Sequence, residues 1–490
     1  MKTKVILASL LLATATSAMA GGILTNTNQS VDFLRNPARD AAIGLDGVYS
    51  NPAGVAFLPE GIHLAFNWQN AHQTRTIEST SPFFANGQKN NGQTKKTFEG
   101  VADAPIIPSL QGAWNKNNWS IQFNLSVPGG GGKCEFADGL GSFENVVGKI
   151  GAGLMPLGAT GAYDMDGYMQ GKQYYFGLQV GTAYKVNENL AIYGGLRMYY
   201  GTASYKAKLS NIMVGTTAGY VPFGTFIDNG IAGLDQNIVQ AGQAHDAGMM
   251  TDAQYQAALA QANGAKAQLN ALQVYRDGVN LQCDQTGMGF APIIGVDYKV
   301  GAFNFAAKYE FKAEMKMKNK STLNQASEIA AMNKFRDGEK VDEDIPAQLA
   351  LGAQWSVKDD IRVNLGYHHF FDKQATWYGN TQELLDGGTN EYLVGAEWDI
   401  NEKVTVSGGL QCTRYPLTDA YMNDMSFVTS SYSFGFGAKY KVKENISLSL
   451  AYFQTNYEHY KKDYTADGLN FHDDFTRTNR VLGLGVEVTL

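Results

Sequence analysis

The chain has 490 residues, a formal net charge of −7 and three cysteines. Its acidic balance, without a basic patch, argues against nucleic-acid binding, and no apolar run of the ~20 residues that a membrane-spanning helix needs follows residue 20. Glycine (55), tyrosine (26) and phenylalanine (25) are abundant, whereas proline (12) is scarce. This composition is typical of a membrane β-barrel with aromatic girdles. Because no apolar run of that length is present, a helical transporter is excluded. A soluble all-β protein remains the alternative.

The first residues predict an exported protein. Lys2 and Lys4 precede an apolar run from Val5 to Ala15, and Ala18-Met19-Ala20 offers small residues for cleavage before Gly21. This order is typical of a secretory signal peptide, here residues 1–20. Because the apolar run is too short to span a bilayer, we expect it to be removed rather than kept as an anchor.

Residues 21–60 form a segment of a different kind. They show no strand alternation, and turn signals such as Asn36-Pro37-Ala38 and Asn51-Pro52-Ala53-Gly54 punctuate them. If the strands that follow close into a barrel of about fourteen, the lumen is wide enough to leak. We therefore interpret 21–60 as a plug, or hatch, folded inside the lumen; a periplasmic tail is the alternative.

A repeated hairpin unit follows the plug segment. An aromatic residue precedes a short polar turn at Tyr184, Trp355, Trp398 and Tyr440, and an alternating strand comes after each turn. Alternation alone also fits a soluble sandwich. However, aromatic residues cluster at the strand ends, and short connections alternate with long ones. Both features indicate a membrane barrel with short periplasmic turns and long extracellular loops.

The pattern predicts an all-β fold, a transmembrane antiparallel β-barrel of about fourteen strands over residues 61–490. The predicted strands lie near 61–75, 105–114, 119–127, 172–186, 189–205, 286–300, 302–316, 345–357, 361–373, 390–400, 403–415, 429–442, 445–459 and 476–490. Long extracellular loops are expected at 128–171, 206–285 and 317–344. In the second loop, 251–274 predicts an amphipathic helix.

Motifs for catalysis or metal binding are missing from the sequence. It contains no nucleophile elbow, His-Glu-x-x-His site, phosphate loop or dinucleotide fingerprint. His368 and His369 are adjacent, and strand geometry sends them to opposite faces, so they cannot ligate one metal ion together. We expect no enzyme activity, no catalytic residue, no metal and no cofactor.

The cysteines leave two possibilities open. Cys134 and Cys283 both fall in predicted extracellular loops, where they either form a disulfide or remain free thiols. Cys412 falls on a predicted lipid-facing strand position.

Arg197 is the candidate anchor for an acidic ligand. Tyr193 and Tyr199 share its predicted lumenal face, and arginine can bind a carboxylate through two hydrogen bonds. Other lumenal charges are expected to neutralise each other as a network. Together with Phe57 at the end of the plug segment, these residues form the predicted ligand-binding set.

With these features the sequence resembles the FadL/TodX-type outer-membrane transporters of long-chain fatty acids and other hydrophobic compounds. The resemblance spans the mature chain and rests on the plug motif Asn51-Pro52-Ala53-Gly54, which leads through Phe57 into the first strand. It implies that extracellular loops capture a hydrophobic ligand, that a lumenal pocket beside the plug holds it, and that it leaves sideways beside a kinked third strand.

The third predicted strand offers a place for such a kink. It runs from Trp119 to Val127 into Pro128-Gly129-Gly130, where proline removes a ladder donor and glycines permit bending. A flexible loop start is the alternative interpretation of these residues.

The expected function is passive uptake of hydrophobic molecules, with long-chain fatty acids as the candidate class, across the outer membrane of a Gram-negative bacterium. Expected partners are the ligand, outer-membrane lipid and the barrel assembly machinery, without nucleic acid. A monomer is expected because a closed barrel has no edge to pair. The rival functions are a general diffusion porin and a surface adhesin or structural barrel.

Overall fold

The computed structural model describes residues 24–25, 30–323 and 329–490. Within them, fourteen long strands form one antiparallel sheet that closes on itself. They are β1 (Gly61–Thr80), β2 (Lys95–Lys116), β3 (Trp119–Phe136), β4 (Ala159–Lys185), β5 (Leu190–Thr216), β6 (Val279–Val300), β7 (Phe303–Glu310), β8 (Gln348–Lys358), β9 (Ile361–Phe370), β10 (Thr389–Asn401), β11 (Val404–Arg414), β12 (Ser431–Lys443), β13 (Ile446–Tyr457) and β14 (Leu469–Thr489). Each strand pairs with the next, and β14 pairs with β1. The predicted barrel is confirmed, while the predicted signal peptide lies outside the described residues.

Several strands run further than the alternation predicted. β2 begins at Lys95, β4 begins at Ala159 and β5 ends at Thr216. Four short strands extend the same end of the sheet, namely Gly219–Pro222, Lys316–Leu323, Lys340–Asp342 and Tyr460–Ala466. The first two expected loops shrink accordingly to 137–158 and 217–278. The third widens to 311–347, because β7 already ends at Glu310 and β8 begins at Gln348; the last two loops contain three of the short strands. Beyond the lipid, the outward face of these strands carries polar residues. The apolar–polar alternation is lost there, so the extensions could not be predicted from it.

The predicted loop positions of Cys134 and Cys283 are wrong for the same reason. They lie on β3 and β6 rather than in loops, and both are buried free thiols. Cys412 on β11 is also free and half-buried.

Helices occupy the plug and the connections at one end of the barrel. They are α1 (Val31–Arg35), α2 (Gly141–Gly153), α3 (Phe223–Asp246) and α4 (Asp252–Leu272). The predicted helix 251–274 is confirmed by α4, where Thr251 and Gln254 form a capping box. α2 and α3 were not predicted. Of the helices in the described residues, none is long and apolar enough to cross a membrane.

Short 3-10 helices complete the connections. They are Leu45–Val48, Gly54–Phe57, Phe84–Asn86, Gln88–Asn90, Met155–Leu157, Gln273–Tyr275, Ala330–Phe335, Asp372–Gln374 and Tyr378–Leu384.

An apolar band surrounds the outside of the barrel. Exposed Phe66, Leu125 and Phe176 belong to it, and aromatic contacts such as Trp119 against Tyr184, with ring centroids 4.7 Å apart, mark the end that carries the short turns. The inward-facing residues of the same strands are polar or small. A barrel with this apolar exterior and polar lumen suits a bilayer.

The described part of the plug, residues 24–25 and 30–60, lies inside the lumen. Its side chains and carbonyls meet the wall on several sides: Val31 N donates to Asn67 Oδ1 on β1 at 3.0 Å, and Asn304 Nδ2 on β7 donates to Ala41 O at 2.7 Å. Gln179 Nε2 on β4 donates to Val48 O at 2.8 Å. The segment is therefore a lumenal plug rather than a tail.

Gly435 on β12 is a position where the plug touches the wall backbone. A Cβ atom there would overlap the carbonyl oxygen of Leu34, a backbone atom that cannot turn aside. We expect Gly435→Ala to displace α1 and raise ionic conductance through the barrel, measured in planar bilayers. Gly194→Ala is the control, because a Cβ there meets nothing within 4 Å. Equal conductance of the two variants would contradict this account of plug seating.

Candidate ligand cavity and lateral opening

The Asn51-Pro52-Ala53-Gly54 turn fastens the plug to the wall. Asn51 Oδ1 accepts from Gly54 N at 3.2 Å, which holds the turn, while Asn51 Nδ2 donates to Asp297 Oδ2 at 2.6 Å. Pro52 O accepts from Gln122 Nε2 at 2.8 Å, and Ala53 packs in a small apolar cluster against β4, β5 and β6. These contacts hold the Asn51-Pro52-Ala53-Gly54 turn in place against the barrel wall.

Ion pairs also hold the plug in place. Arg35 and Arg39 both contact Glu397 Oε1 on β10, at 2.8 and 3.0 Å, and Arg39 Nε lies 2.7 Å from Asp46 Oδ2. Burial by itself raises the pKa of Asp32, but the positive charges of Lys439, Arg35 and Arg39 outweigh it and hold that pKa below its ordinary value. The plug thus matches positive and negative charges across the lumen.

A cavity of about 390 Å³ lies above the plug. The strands β1, β2, β3, β4, β13 and β14 surround it, together with the connection 415–430 between β11 and β12. Residues that line it include Gln73, Arg75, Ala104, Ile107, Val127, Phe176, Phe427, Tyr457, Arg477 and Val481. Most of this surface is apolar, and its polar side chains include Gln69, Asp103 and Asn479 besides Gln73 and the two arginines.

The cavity reaches the outside where the β2–β3 ladder is interrupted. These strands pair from Lys116↔Trp119 to Leu110↔Leu125 and again at Val101↔Glu135 and Gly100↔Phe136, with no pairing between the two stretches. Ala104 to Pro108 of β2 and Gly129 of β3 line both the break and the cavity. The barrel therefore has a lateral opening at this seam.

Pro128, Gly129 and Gly130 lie at this break. The β3–β4 register shifts between Ser126 and Gly129 and again between Gly129 and Gly132. Gly130 has φ +115°, in the region that favours glycine. A donor-free proline followed by glycines lets β3 bend away from β2.

Comparison with known proteins gives matches in structure alone. No protein-family model and no curated protein matches the chain. A Pseudomonas aeruginosa FadL homologue is 12% identical, with 96% of this chain and 99% of that chain covered and a TM-score of 0.62. The P. putida toluene transporter TodX is 13% identical, with 91% and 94% covered and a TM-score of 0.53. The chain has the FadL/TodX-type fold. The Ralstonia pickettii toluene transporter TbuX agrees, at 13% identity, 94% and 98% coverage and a TM-score of 0.51.

Arg197 has a partner within this FadL/TodX-type barrel. It is fully buried, and its Nη1 lies 2.6 Å from Glu310 Oε2 on β7. Tyr199 Oη donates to Glu310 Oε1 at 2.6 Å, and the guanidinium stacks 4.5 Å from the ring centroid of plug residue Tyr49. The carboxylate that Arg197 binds is thus an internal one.

The other predicted ligand-binding residues also lie away from the cavity. Tyr193 packs with the plug at Ala53 and accepts from Gln179 Nε2 at 3.0 Å, and Phe57 packs against the same cluster with Lys299 Nζ 4.6 Å from its ring centroid. Neither they nor Arg197 and Tyr199 line the cavity above the plug.

Arg75 and Arg477 are the cavity cations that sequence reasoning missed. They face each other across β1 and β14 as Cα partners. Arg75 Nε and Arg477 Nη2 both donate to Gln73 Oε1, at 3.1 and 3.0 Å, and Arg477 Nη1 donates to Phe427 O at 3.2 Å. Among the described residues, neither guanidinium has a carboxylate within 4.0 Å. Strand alternation places both inward, but it cannot show that an inward arginine lacks an acid.

The connection 415–430 closes the cavity from above. Its Ser426, Phe427 and Val428 line the cavity, and Asp424 Oδ2 accepts from Ser142 N in the first turn of α2 at 2.7 Å. Burial, with nearby Asp473, raises the pKa of Asp424 to about 6. Docking of this connection onto α2 therefore depends on pH.

Because the pKa of Asp424 is higher in the folded protein than its ordinary 3.8, the folded state binds the proton more tightly. Docking is thus most stable below about pH 4 and loses about 3 kcal/mol as pH rises through 6. We expect Asp424→Asn to flatten this dependence, measured as hydrogen-exchange protection of residues 415–430 between pH 4 and 7. Asp419→Asn, at an exposed position of the same connection, is the control. If hydrogen-exchange protection of 415–430 in Asp424→Asn depends on pH as in the wild type, Asp424 is not the group responsible.

Proposed function

We propose that this protein is an outer-membrane channel for passive uptake of hydrophobic molecules. Ligands reach the cavity from the end that carries α2 to α4, rest above the plug, and leave sideways into the bilayer between β2 and β3. The single observation that carries the proposal is the break in the β2–β3 ladder at an apolar cavity. Unpaired backbone at membrane depth is costly, and it is tolerated where it lines a cavity.

Support comes from the way the lumen is filled. The plug meets several sides of the wall through Asn51, Pro52, Arg35 and Arg39, which argues against the open polar lumen of a general diffusion porin. The solved structures with this fold include two described as toluene transporters. Their hydrophobic cargo agrees with an apolar cavity and a lateral exit.

Arg75 and Arg477 support a narrower ligand class, an anionic amphiphile such as a long-chain fatty acid. Two cationic groups without a carboxylate partner in the described residues face a mostly apolar space. A carboxylate head would receive charge-assisted hydrogen bonds there, while its alkyl chain occupies the apolar remainder. We assign the head group to this pair rather than to Arg197, because Glu310 already occupies the Arg197 guanidinium.

The head-group assignment is tested with Arg75→Met and Arg477→Met. Each variant loses a charged hydrogen-bonding group, and we expect binding of oleate by the purified protein to weaken about tenfold or more. Binding of methyl oleate, which has no charge, should change little. Arg480→Met is the matched control, because Arg480 lies on β14 and is exposed. Equal losses for oleate and methyl oleate would overturn the assignment while leaving hydrophobic uptake intact.

The lateral exit is tested by filling the opening. Ala104 lies in the unpaired stretch of β2 and lines the cavity, so a tryptophan there should block the seam. We expect Ala104→Trp to slow transfer of a fluorescent fatty acid into proteoliposomes while retaining ligand binding. Val101→Trp is the control, since exposed Val101 lies where β2 and β3 pair again. Normal transfer by Ala104→Trp would argue for a path through the plug instead.

A further inference from the structure

A group of lysines lies on one side of the outer wall, beyond the apolar band. The lysine belt, as we call it, consists of Lys133, Lys172, Lys206, Lys208, Lys318, Lys320 and Lys340. Every one of them is next to an inward-facing buried residue, such as Cys134, Gln173 or Ala207. Strand alternation therefore points all seven outward.

Strand pairing brings these lysines into neighbouring rows. Lys133 of β3 is the Cα partner of Lys172 of β4, and Lys318 of strand Lys316–Leu323 is the partner of Lys340. Lys206 and Lys208 of β5 continue the same surface across the β4–β5 pair. The belt thus has two parts, on β3 to β5 and on the two short strands, and outward Gln282, Asp284 and Thr286 of β6 lie between them.

The belt lies directly beyond one rim of the apolar band. On β4, Lys172 comes two residues after the rim aromatic Tyr174 when the strand is followed outward, and its Nζ lies 5.5 Å from that ring centroid. Tyr184 marks the opposite rim, about 33 Å away along the strand and about 25 Å away along the barrel axis at a usual tilt. This separation matches the apolar height of outer-membrane barrels, so the belt lies at the depth of lipid head groups.

Acids offset part of the belt. Glu135 pairs with Lys133 at 2.6 Å and also attracts Lys206, Asp166 attracts Lys208, and Asp284 faces Lys320 as its Cα partner. In the described residues, the belt lysines other than Lys133 make no salt bridge. The corresponding outward surface of β1 and β2 carries Glu78, Glu99 and Asp103 together with Lys95, which pairs with Glu78 at 2.6 Å. Positive charge is therefore concentrated on one side of the barrel.

We propose that the lysine belt binds the phosphate groups of the glycolipid in the outer leaflet, a partner beyond the cavity ligand. This inference rests on the outer-membrane placement in the proposed function. Lysine ammonium groups at the membrane surface attract anionic lipid head groups, and several neighbouring ones can engage a diphosphorylated sugar together. The aromatic rim below them contacts the acyl chains of the same lipid.

The test uses the full chain in detergent and measures its affinity for bis-phosphorylated lipid A and for dephosphorylated lipid A. The belt variant combines Lys172→Gln, Lys206→Gln, Lys208→Gln and Lys320→Gln. The matched control removes the same charge at the opposite rim, with Lys116→Gln, Lys358→Gln, Lys403→Gln and Lys443→Gln, all at exposed positions. Circular dichroism and heat-modifiable gel mobility establish that both variants are folded.

We expect the belt variant to bind bis-phosphorylated lipid A at least about tenfold more weakly than the wild type, and the control variant to bind like the wild type. Dephosphorylated lipid A should bind all three proteins equally weakly. Equal affinity of the belt and control variants for the phosphorylated lipid would overturn the proposal. Oleate binding, measured in parallel, separates the two ideas: its absence in the wild type refutes the proposed cavity ligand, whereas the lipid A comparison alone decides the belt.

Discussion

The need to pair every backbone amide and carbonyl in lipid governs this molecule. A membrane offers no water to unpaired groups, so the strands must close into a cylinder, and here β14 returns to pair with β1 from His63↔Thr489 to Thr80↔His472. Closure of fourteen strands creates a lumen that would conduct solutes unless it were filled. The plug is the consequence, and its Asn51-Pro52-Ala53-Gly54 turn is positioned by wall residues such as Asp297 and Gln122.

Filling a polar lumen with protein requires that its charges be matched, because an isolated buried charge is strongly unfavourable. Most lumenal charges obey this rule: Arg39 meets Asp46 and Glu397, Arg197 meets Glu310, and His368 lies 2.9 Å from both Asp40 and Glu391. Arg75 and Arg477 depart from it in the described residues. This pair stands out because the wall supplies acids to the lumenal Arg197 and Arg362 but, among the described residues, none within 4.0 Å to Arg75 or Arg477.

Sequence reasoning recovered the parts of this structure that depend on local pattern. The fourteen strands followed from alternation and α4 from its helical spacing, because both signals lie within one element. Facts that depend on long-range pairing were out of reach: Glu310 is 113 residues from Arg197. The alternation also failed to predict strand ends where the environment changes along a strand. The first residues of β4, for example, lie beyond the apolar band and lack the alternation of a lipid-facing strand.

A plug held by many contacts is compatible with passive uptake because a hydrophobic ligand does not need a through-channel. In the proposed path, the β2–β3 break lies near Gly129, the Cα partner of Tyr175, at the level of the upper aromatic rim. A ligand leaving there enters the outer leaflet directly, and each buried methylene contributes about 0.8 kcal/mol to its transfer out of water. Partitioning then drives the step without an energy source. A polar solute gains nothing from this lateral path, and below the cavity it meets a lumen that contains the plug.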